Sequence, residues 1–311
     1  MTKSFGEAIE SYPRHSLIIT GAGEDFTVGG ELVEPMKNPG IGVETVKHRI
    51  RFLTFLEENP RESLTIFQGI TIGGGIAVLR SCSVRVATET TQFSFQENSI
   101  GFFVDAALTR YLARLEPDGI GLFLALTGYS MNGADCYAVG IATHFINTRD
   151  SQRLLGLTET LSLKEAADSV CCEPPEAMYK IRAYLPQIVR CFAGVNSVEE
   201  VLQKLSVDGS EWARRTSAQI SDKCPLSLCL TLKALNASKT LTYRECQVKD
   251  FDRIIQLILH RNENFLTGVT HRLVNKLKTR PNWNPSHVSE VTEELMEKIT
   301  ANEEGPHLTL D

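Results

Sequence analysis

Two acidic residues, Glu97 and Asp105, lie on either side of the apolar segment Ile100-Gly101-Phe102-Phe103. A carboxyl group acts as a base or nucleophile near neutral pH only when burial or a neighbouring charge moves its pKa towards neutrality. Phe102 and Phe103 could form the apolar wall that buries the pair. This arrangement indicates acid–base or nucleophilic chemistry. Taken alone, the two acids are also typical of loop residues that cap local turns.

A run of three glycines, Gly73–Gly75, follows the β-branched stretch Ile70–Ile72 and precedes the apolar segment Ile76–Leu79. Glycines allow a tight turn and close approach to the backbone N–H groups. The N–H groups that open a helix are unpaired and lie at the positive end of its dipole. A strand–glycine–helix corner could therefore polarise a carbonyl oxygen, and together with the two acids it points to chemistry on an acyl group. Neither G-x-G-x-x-G nor the P-loop pattern is present, so nothing favours a dinucleotide or a nucleoside triphosphate.

A second glycine-rich turn, residues 21–31 (GAGEDFTVGGE), follows the short strand predicted at Leu17–Thr20. A lone Gly-Gly-Gly run is more often a flexible turn than a binding site. The second turn also exposes backbone N–H groups, and it strengthens the interpretation that the two turns work as a pair.

The elements that must position these residues alternate between strand and helix in the first half of the chain. Glycine and proline breaks and the apolar periodicity predict strands at Leu17–Thr20, Leu64–Phe67, Val84–Ala87 and Phe93–Phe95, and helices at Thr45–Glu57 and Ala107–Leu115. Residues 151–175 are predicted to be a connection. Beyond them the pattern predicts helices at Pro175–Val189, Val198–Lys204, Ser210–Ser221, Pro225–Ala234, Thr242–Leu259 and Ser286–Thr300, with a turn at Gly268 and an N-cap at Ser197.

Composition favours a globular, enzyme-sized protein. The chain has 311 residues, 42% of them hydrophobic and 23% charged, and its net charge of −6 gives no general basic surface for nucleic acid. No apolar run approaches the ~20 residues needed to cross a bilayer. The eight cysteines are scattered, which predicts reduced thiols, and the histidines show no metal-binding spacing. The sequence therefore predicts no metal and no membrane.

The order of motifs resembles the crotonase superfamily, and most of all its 3-hydroxyisobutyryl-CoA hydrolase branch. GAG-x-x-F-x-x-GG-acid is followed by GIT-x-GGG and then by F-x-x-x-E-x-x-IG-x-F-x-D. LALTG at 124–128 and D-x-Y-x-x-GIATHF at 135–145 come next, and further matches lie at Asp208-Gly209-Ser210 and around Trp283. The resemblance covers about residues 16–295, and the ordered set is specific although each piece alone is not.

The resemblance implies an α/β fold, a crotonase-like spiral of β-β-α units followed by a C-terminal helical region. Residues 1–150 would form a truncated spiral core with the acyl-CoA site, 151–175 the connection, and 176–311 the helical region that covers the CoA site and supports self-association. The family's opening strand and first turn, which precede the GAG motif, have no counterpart between Met1 and Gly21.

The resemblance also implies roles for individual residues. The backbone N–H groups of Val28 and Gly74 would form an oxyanion hole, and Gly73, Gly75 and Phe102 would contact the substrate. Glu97 would be the nucleophile or the general base towards water, and Asp105 would orient water or the substrate's hydroxyl. CoA is part of the substrate, so no separate cofactor is expected.

One difference from the hydratases and two departures from the hydrolase branch affect this assignment. Ala77 stands where the hydratases carry a catalytic glutamate, which argues against hydration. The position of the glutamate that the hydrolases use for the substrate corresponds to a position near Arg49 in this chain. The family's glycine-rich stretch after its aspartate is replaced here by Ala106 and Ala107. The residue at position 77 fits the hydrolase branch, which also lacks that glutamate, whereas the changes near Arg49 and after Asp105 together weaken the expectation of efficient thioester hydrolysis.

Three functions are therefore predicted as alternatives. The first is hydrolysis of an acyl-CoA thioester, with the 3-hydroxyisobutyryl ester as substrate, and the sequence favours such an enzyme. The second is a structural role among mitochondrial ribosomal proteins of the small subunit, as known for a relative of this branch. The third is enoyl-CoA isomerisation by Glu97 as the single base. Mitochondrial location follows from resemblance alone, because Glu7 and Glu10 make the first residues a poor transit peptide.

Overall fold

The computed structural model describes residues 15–58, 60–259, 262–300, 308 and 310, so the predictions that concern Glu7 and Glu10 lie outside the described residues. The chain divides into two compact units. The first contains the described residues up to Gly30 together with Phe55–Ser94 and Ser130–Leu185. The second contains Glu31–Thr54, Phe95–Tyr129 and the described residues from Pro186 onwards. The units interleave along the chain, which is a different division from the consecutive one expected at 150 and 175.

The described residues form short strands and mostly short helices. The strands are β1 (Leu17–Thr20), β2 (Thr27–Val28), β3 (Ser63–Phe67), β4 (Ile70–Ile72), β5 (Val84–Thr88), β6 (Gln92–Ser94), β7 (Met131–Asn132) and β8 (His144–Ile146). The α-helices are α1 (Val33–Lys37), α2 (Pro39–Glu58), α3 (Ile76–Arg80), α4 (Leu108–Leu112), α5 (Ile120–Thr127), α6 (Gly133–Ala138), α7 (Ser151–Leu157), α8 (Leu163–Val170), α9 (Leu185–Phe192), α10 (Val198–Asp208), α11 (Glu211–Asp222), α12 (Pro225–Ser238), α13 (Tyr243–Leu259), α14 (Glu263–Val269) and α15 (Glu293–Thr300). The 3₁₀ turns are Gly73–Gly75, Glu97–Ile100, Thr148–Asp150, Glu176–Met178, Ile181–Tyr184 and Val288–Glu290, and Thr270–Val274 forms a π-helical turn.

All of these strands belong to the first unit, where they form two four-stranded sheets. One sheet has the order β1-β3-β5-β8 with every pair parallel, and the other has the order β2-β4-β6-β7 with only β7 antiparallel. Up to β6, successive strands alternate between the two sheets, so each turn of the chain adds one strand to each. This confirms the predicted spiral of β-β-α units.

Helices α7 and α8 cover one face of the first sheet. Leu64 and Val86 of that sheet lie in one buried cluster with Leu154 of α7 and Leu163 of α8. The prediction of a connection at 151–175 was therefore wrong for these two helices. α8 begins with a capping box, because the hydroxyl of Ser162 and the carboxylate of Glu165 satisfy each other's backbone N–H groups.

The second unit is helical, and it includes the C-terminal helical region that the sequence predicted. Its core joins Ile50 of α2, Phe103, Phe251 and Ile254 of α13, and Phe265 of α14. The predicted N-cap at Ser197 is confirmed, because its hydroxyl accepts the N–H of Glu200 at 3.1 Å.

Several predicted boundaries were wrong for identifiable reasons. The helix expected at 107–115 covers only Leu108–Leu112, because Ala106 and Ala107 adopt left-handed backbone angles ahead of it. The helix expected at 175–189 is replaced by 3₁₀ turns until α9 begins. Gly268 lies inside α14 rather than at a turn, and a Cβ there would lie 2.3 Å from the carbonyl of Ile100. The final helix begins only at Glu293.

Candidate active site

In the first unit, the glycine run packs directly against the upstream turn. β2 pairs with β4, with Val28 opposite Ile72, so residues 27–29 lie beside residues 73–75. Gly73 has a φ of +74°, and a Cβ on it would lie 2.8 Å from the Cα of Gly29. A Cβ on Gly75 would lie 2.4 Å from the hydroxyl of Thr27. The structure therefore brings the two glycine-rich turns together, as their pairing in sequence predicted.

The backbone of this corner is suited to donating hydrogen bonds. The N–H of Ile76, the first residue of α3, bonds to the carbonyls of Gly73 and Gly74. Gly74 precedes Ile76 in the first turn of this helical segment, where backbone N–H groups have no intrahelical acceptor. Val28 lies in the adjacent strand and is 64% exposed. The assignment of Val28 and Gly74 to an oxyanion hole, and of Gly73 and Gly75 to substrate contact, stays a prediction.

Gly73→Ala is expected to lower the free energy of unfolding by about 2 kcal/mol, because the left-handed backbone is strained for alanine and its Cβ meets Gly29. Denaturant unfolding measures this. Gly156→Ala in α7 is the matched control in the same unit, since nothing lies within 4 Å of a Cβ there, and it is expected to stabilise by about 0.5–1 kcal/mol. Equal stability changes in the two variants would contradict the described turn.

In the second unit, Glu97 opens a 3₁₀ turn whose backbone is held by buried hydrogen bonds. The side-chain amide of the next residue, Asn98, donates to the carbonyl of Ala125 and accepts a hydrogen bond from the hydroxyl of Thr231, both at 2.9 Å. The N–H of Phe102 donates to the carbonyl of Glu97 at 3.1 Å. The turn that carries Glu97 is therefore anchored by hydrogen bonds on both sides of it.

The carboxyl group of Glu97 is buried and unpaired. The residue is 7% exposed, and neither carboxyl oxygen has a hydrogen-bond partner among the described residues. Burial raises the pKa of Glu97 from its ordinary 4.5 to about 8; nearby backbone N–H groups and Arg49 oppose that rise, and the negative charge of Asp105 adds to it. A carboxyl with this pKa exchanges protons near neutral pH, as a general base must.

Asp105 is buried and bound to a cation in the same unit. It is 2% exposed, and one carboxylate oxygen accepts a hydrogen bond from a terminal guanidinium nitrogen of Arg49. A quarter of the Arg49 side chain remains exposed, while its Nε is buried without a partner in the described part of the chain. The structure brings Glu97 and Asp105 into one electrostatic cluster, and their catalytic roles stay a prediction. It also shows that Arg49 is the counter-ion of Asp105, which sequence reasoning missed.

Phe102 packs into the core of the second unit. Its ring centroid lies 5.2 Å from that of Phe103 and 5.5 Å from that of Phe265, and the residue is 7% exposed. These contacts give it a structural role beside Glu97. Its predicted role as a substrate contact stays a prediction.

Asp250 and Arg253 on α13 also belong to this cluster, and the sequence analysis missed them. Asp250 accepts the backbone N–H of Ala107 at 2.9 Å and a hydrogen bond from Arg253 at 3.0 Å. Burial raises the pKa of Asp250 to about 7, with Arg253 opposing the rise and Asp105 adding to it. The available signal was the presence of two charged residues on a helix that also carries Phe251, Ile254 and Ile255.

Other kinds of site are not supported by the described residues. In the part of the chain that the structure describes, no three His, Cys, Asp or Glu side chains group in a way that could hold a metal ion. Within the same ranges, no helix combines the length and apolar character that crossing a bilayer requires. All eight cysteines carry free thiols.

Comparison with known proteins identifies the family. The model of the enoyl-CoA hydratase/isomerase family matches residues 1–300. The chain is 32% identical over 300 residues to the mitochondrial 3-hydroxyisobutyryl-CoA hydrolase of Homo sapiens, covering 89% of this chain and 74% of the relative. It is 30% identical over 315 residues to the protein of the same name from Dictyostelium discoideum, covering 95% and 80%.

Solved structures show the same fold. A carnitinyl-CoA dehydratase from Mycobacterium thermoresistibile superposes with a TM-score of 0.90 at 24% identity, covering 100% of this chain and 91% of that one. An enoyl-CoA hydratase from Rhodobacter sphaeroides has a TM-score of 0.84 at 23% identity, covering 99% and 91%. With the spiral of β-β-α units, the paired glycine turns and the match over nearly the whole chain, this protein belongs to the enoyl-CoA hydratase/isomerase family.

Proposed function

We propose that this chain hydrolyses an acyl-CoA thioester, with the 3-hydroxyisobutyryl ester as its substrate. Relatives that carry the name 3-hydroxyisobutyryl-CoA hydrolase, at 30–32% identity over most of the chain, support the substrate class. The observation that carries the proposal is Glu97, a buried carboxyl that has no hydrogen-bond partner in the described part of the chain and whose pKa is raised to about 8. An unpaired buried carboxyl is costly, and it is typical of a group that reacts rather than one that stabilises.

Glu97 would act in its ionised form. The carboxylate either adds to the thioester carbonyl carbon or takes a proton from a water molecule that adds there. In the first route the C–S bond breaks and leaves a mixed anhydride between the acyl group and Glu97, which water then hydrolyses, restoring the carboxylate. In the second route the water adduct breaks its C–S bond directly. In both, water supplies the oxygen of the new carboxylic acid and the proton of the CoA thiol. Because the pKa lies near 8, the ionised fraction is small but useful at neutral pH, and the carboxylate is a stronger base than an ordinary glutamate.

The N–H groups of Val28 and Gly74 would stabilise the negative charge that develops on the thioester oxygen. One such donor contributes about 3–4 kcal/mol to transition-state stabilisation. Backbone donors need no particular side chain, so the valine at position 28 is compatible with this role.

Asp105 would orient water or the substrate's hydroxyl, although its ion pair with Arg49 limits it. A carboxylate has several acceptor positions, and Arg49 occupies one of them. The same ion pair favours a second candidate function, isomerisation of an enoyl-CoA double bond by Glu97 alone. In that reaction Glu97 would remove a proton from one carbon and return it to another, and no thiol would be released.

The test is release of free thiol from 3-hydroxyisobutyryl-CoA by the purified chain, with Glu97→Gln as control. If the chain is a hydrolase, one free thiol is released for each thioester consumed, and this release is lost in Glu97→Gln. Double-bond migration in an enoyl-CoA without thiol release would favour the isomerase. A folded protein that does neither would overturn both enzymatic functions and leave the structural role at the mitochondrial ribosome as the remaining alternative.

We also propose a mitochondrial location, supported by the names of the relatives, which include the word mitochondrial. Fractionation of cells that express the full natural protein tests this. Recovery of the protein only in fractions other than mitochondria would contradict this location.

A further inference from the structure

The backbone that follows Asp105 is strained. Ala106 has a φ of +58° and Ala107 a φ of +54°, and both values lie in the left-handed region that alanine avoids. Two consecutive non-glycine residues in this conformation persist only when the surrounding structure imposes it. The segment that carries Asp105 therefore depends on contacts from elsewhere in its unit.

Two side chains and one backbone–backbone hydrogen bond hold this segment. On the upstream side, the N–H of Val104 donates to the hydroxyl of Thr231 at 3.3 Å. Within the turn, the N–H of Leu108 donates to the carbonyl of Asp105 at 3.0 Å. On the downstream side, the N–H of Ala107 donates to the carboxylate of Asp250 at 2.9 Å. Asp250 thus bonds to the strained part of the turn itself.

Asp250 is itself fixed by Arg253. The guanidinium of Arg253 donates to the second carboxylate oxygen of Asp250, and the two side chains are 10% and 1% exposed. Arg253 also lies over the ring of Phe103, 5.9 Å from its centroid. Burying an ion pair gives little net stability, since desolvation offsets the attraction. The burial of this pair next to Asp105 is therefore better explained by a role in positioning the turn than by a gain in stability.

We propose that Asp250, held by Arg253, is a positioning residue that fixes the turn from Asp105 to Leu108 and so sets the Asp105 carboxylate for catalysis. The effect on turnover rests on the proposed hydrolase function, whereas the effect on the turn does not. Asp250 acts through the N–H of Ala107 and has no contact with substrate in this account.

Asp250→Ala tests the proposal through two readouts. The amide of Leu108, which bonds to Asp105 and not to Asp250, is expected to exchange its hydrogen roughly tenfold faster or more, because the turn opens locally. In the assay of thiol release, kcat is expected to fall by about 100-fold with KM changed less than about twofold, since a displacement of about 1 Å costs on that order. NMR of the labelled protein measures the exchange.

Two further variants separate positioning from a loss of stability. Asp250→Asn keeps an oxygen that can accept the N–H of Ala107, and it is expected to preserve the protection of Leu108 and most of the turnover. Asp208→Ala is the matched control, because Asp208 also accepts a backbone N–H, from Ser210, and a hydrogen bond from Arg190. It is expected to lower stability and leave kcat unchanged.

The outcomes are decisive in either direction. Unchanged exchange at Leu108 in folded Asp250→Ala would overturn the proposal. If the wild-type chain hydrolyses the thioester, an Asp250→Ala protein with the same kcat would also overturn it. If the wild-type chain releases no thiol, the hydrolase function fails, and the exchange comparison then decides whether Asp250 fixes the turn. Faster exchange at Leu108 in Asp250→Ala but not in Asp208→Ala would support it.

Discussion

Glu97→Gln is expected to abolish thioester hydrolysis and, at the same time, to stabilise the folded chain at pH 7. The glutamine amide has nearly the same shape as the carboxyl group and cannot ionise. Activity is lost because no carboxylate remains to attack the carbonyl or activate water, and we expect kcat to fall by at least about 1000-fold. Stability rises because the buried carboxyl has no hydrogen-bond partner among the residues that the structure describes, so its ionised form is poorly compensated.

The size of the stability gain follows from the two protonation states. In the folded chain Glu97 keeps its proton up to about pH 8, whereas in the unfolded chain it loses it near pH 4.5. Between these values the folded state binds more protons, so the free energy of unfolding of the wild-type chain falls as pH rises. The loss relative to pH 4.5 reaches about 3 kcal/mol at pH 7 and about 4–5 kcal/mol above pH 8.

Denaturant unfolding of the wild-type chain and of Glu97→Gln at pH 5 and pH 7 measures this difference. The two proteins are expected to differ little at pH 5, and the variant is expected to be more stable by about 3 kcal/mol at pH 7. Glu245→Gln is the control, because Glu245 is an exposed carboxylate that accepts the N–H of Thr242. If Glu97→Gln is less stable than wild type at pH 7, the buried carboxylate does not lower the free energy of unfolding, and the account is contradicted.

Arg49→Met is expected to have the second large effect. Asp105 is 2% exposed, so removal of its counter-ion leaves a buried carboxylate without a cation. Breaking a buried ion pair in this way costs about 3 kcal/mol. Arg49 also lowers the pKa of Glu97, so the pH at which thiol release reaches half its maximum is expected to rise by about half a pH unit or more.

The double variant Arg49→Met with Asp105→Asn is expected to recover most of the lost stability, because no charge then remains to be compensated. Arg80→Met is the control, since Arg80 forms a partly buried ion pair with Glu57 in the first unit. It is expected to reduce stability without moving the pH dependence of thiol release. An Arg49→Met protein as stable as wild type would contradict the role of Arg49 as the counter-ion of Asp105.

Those parts of the fold that depend on local sequence were predictable. The strand at Leu17–Thr20 has the predicted bounds, because a short β-branched run ends at a glycine that cannot continue it. The pairing of the two glycine turns was foreseen, since glycine marks places where another backbone approaches closely. The helix α8 was missed, although Leu163, Ala166, Ala167 and Val170 follow the helical period behind the Ser162 cap.

The partners of the carboxylates were not predictable in the same way. Arg49 and Asp250 reach the segment around Asp105 from helices that are distant in the sequence, and only tertiary packing selects them. The left-handed angles of Ala106 and Ala107 were also hidden, because alanine by itself favours a helix. The presence of Asp250 and Arg253 on a helix that also carries Phe251 and Ile254 was the one local sign of Asp250.

The measurement that tests the central claim most directly is the pH dependence of thiol release from 3-hydroxyisobutyryl-CoA, corrected with Glu97→Gln at each pH. If Glu97 acts as the base or nucleophile, kcat rises about tenfold per pH unit in the acidic range and levels off around a midpoint near pH 8. A rate that is already maximal at pH 6, or equal release by wild type and Glu97→Gln, would contradict catalysis by a buried Glu97 carboxylate.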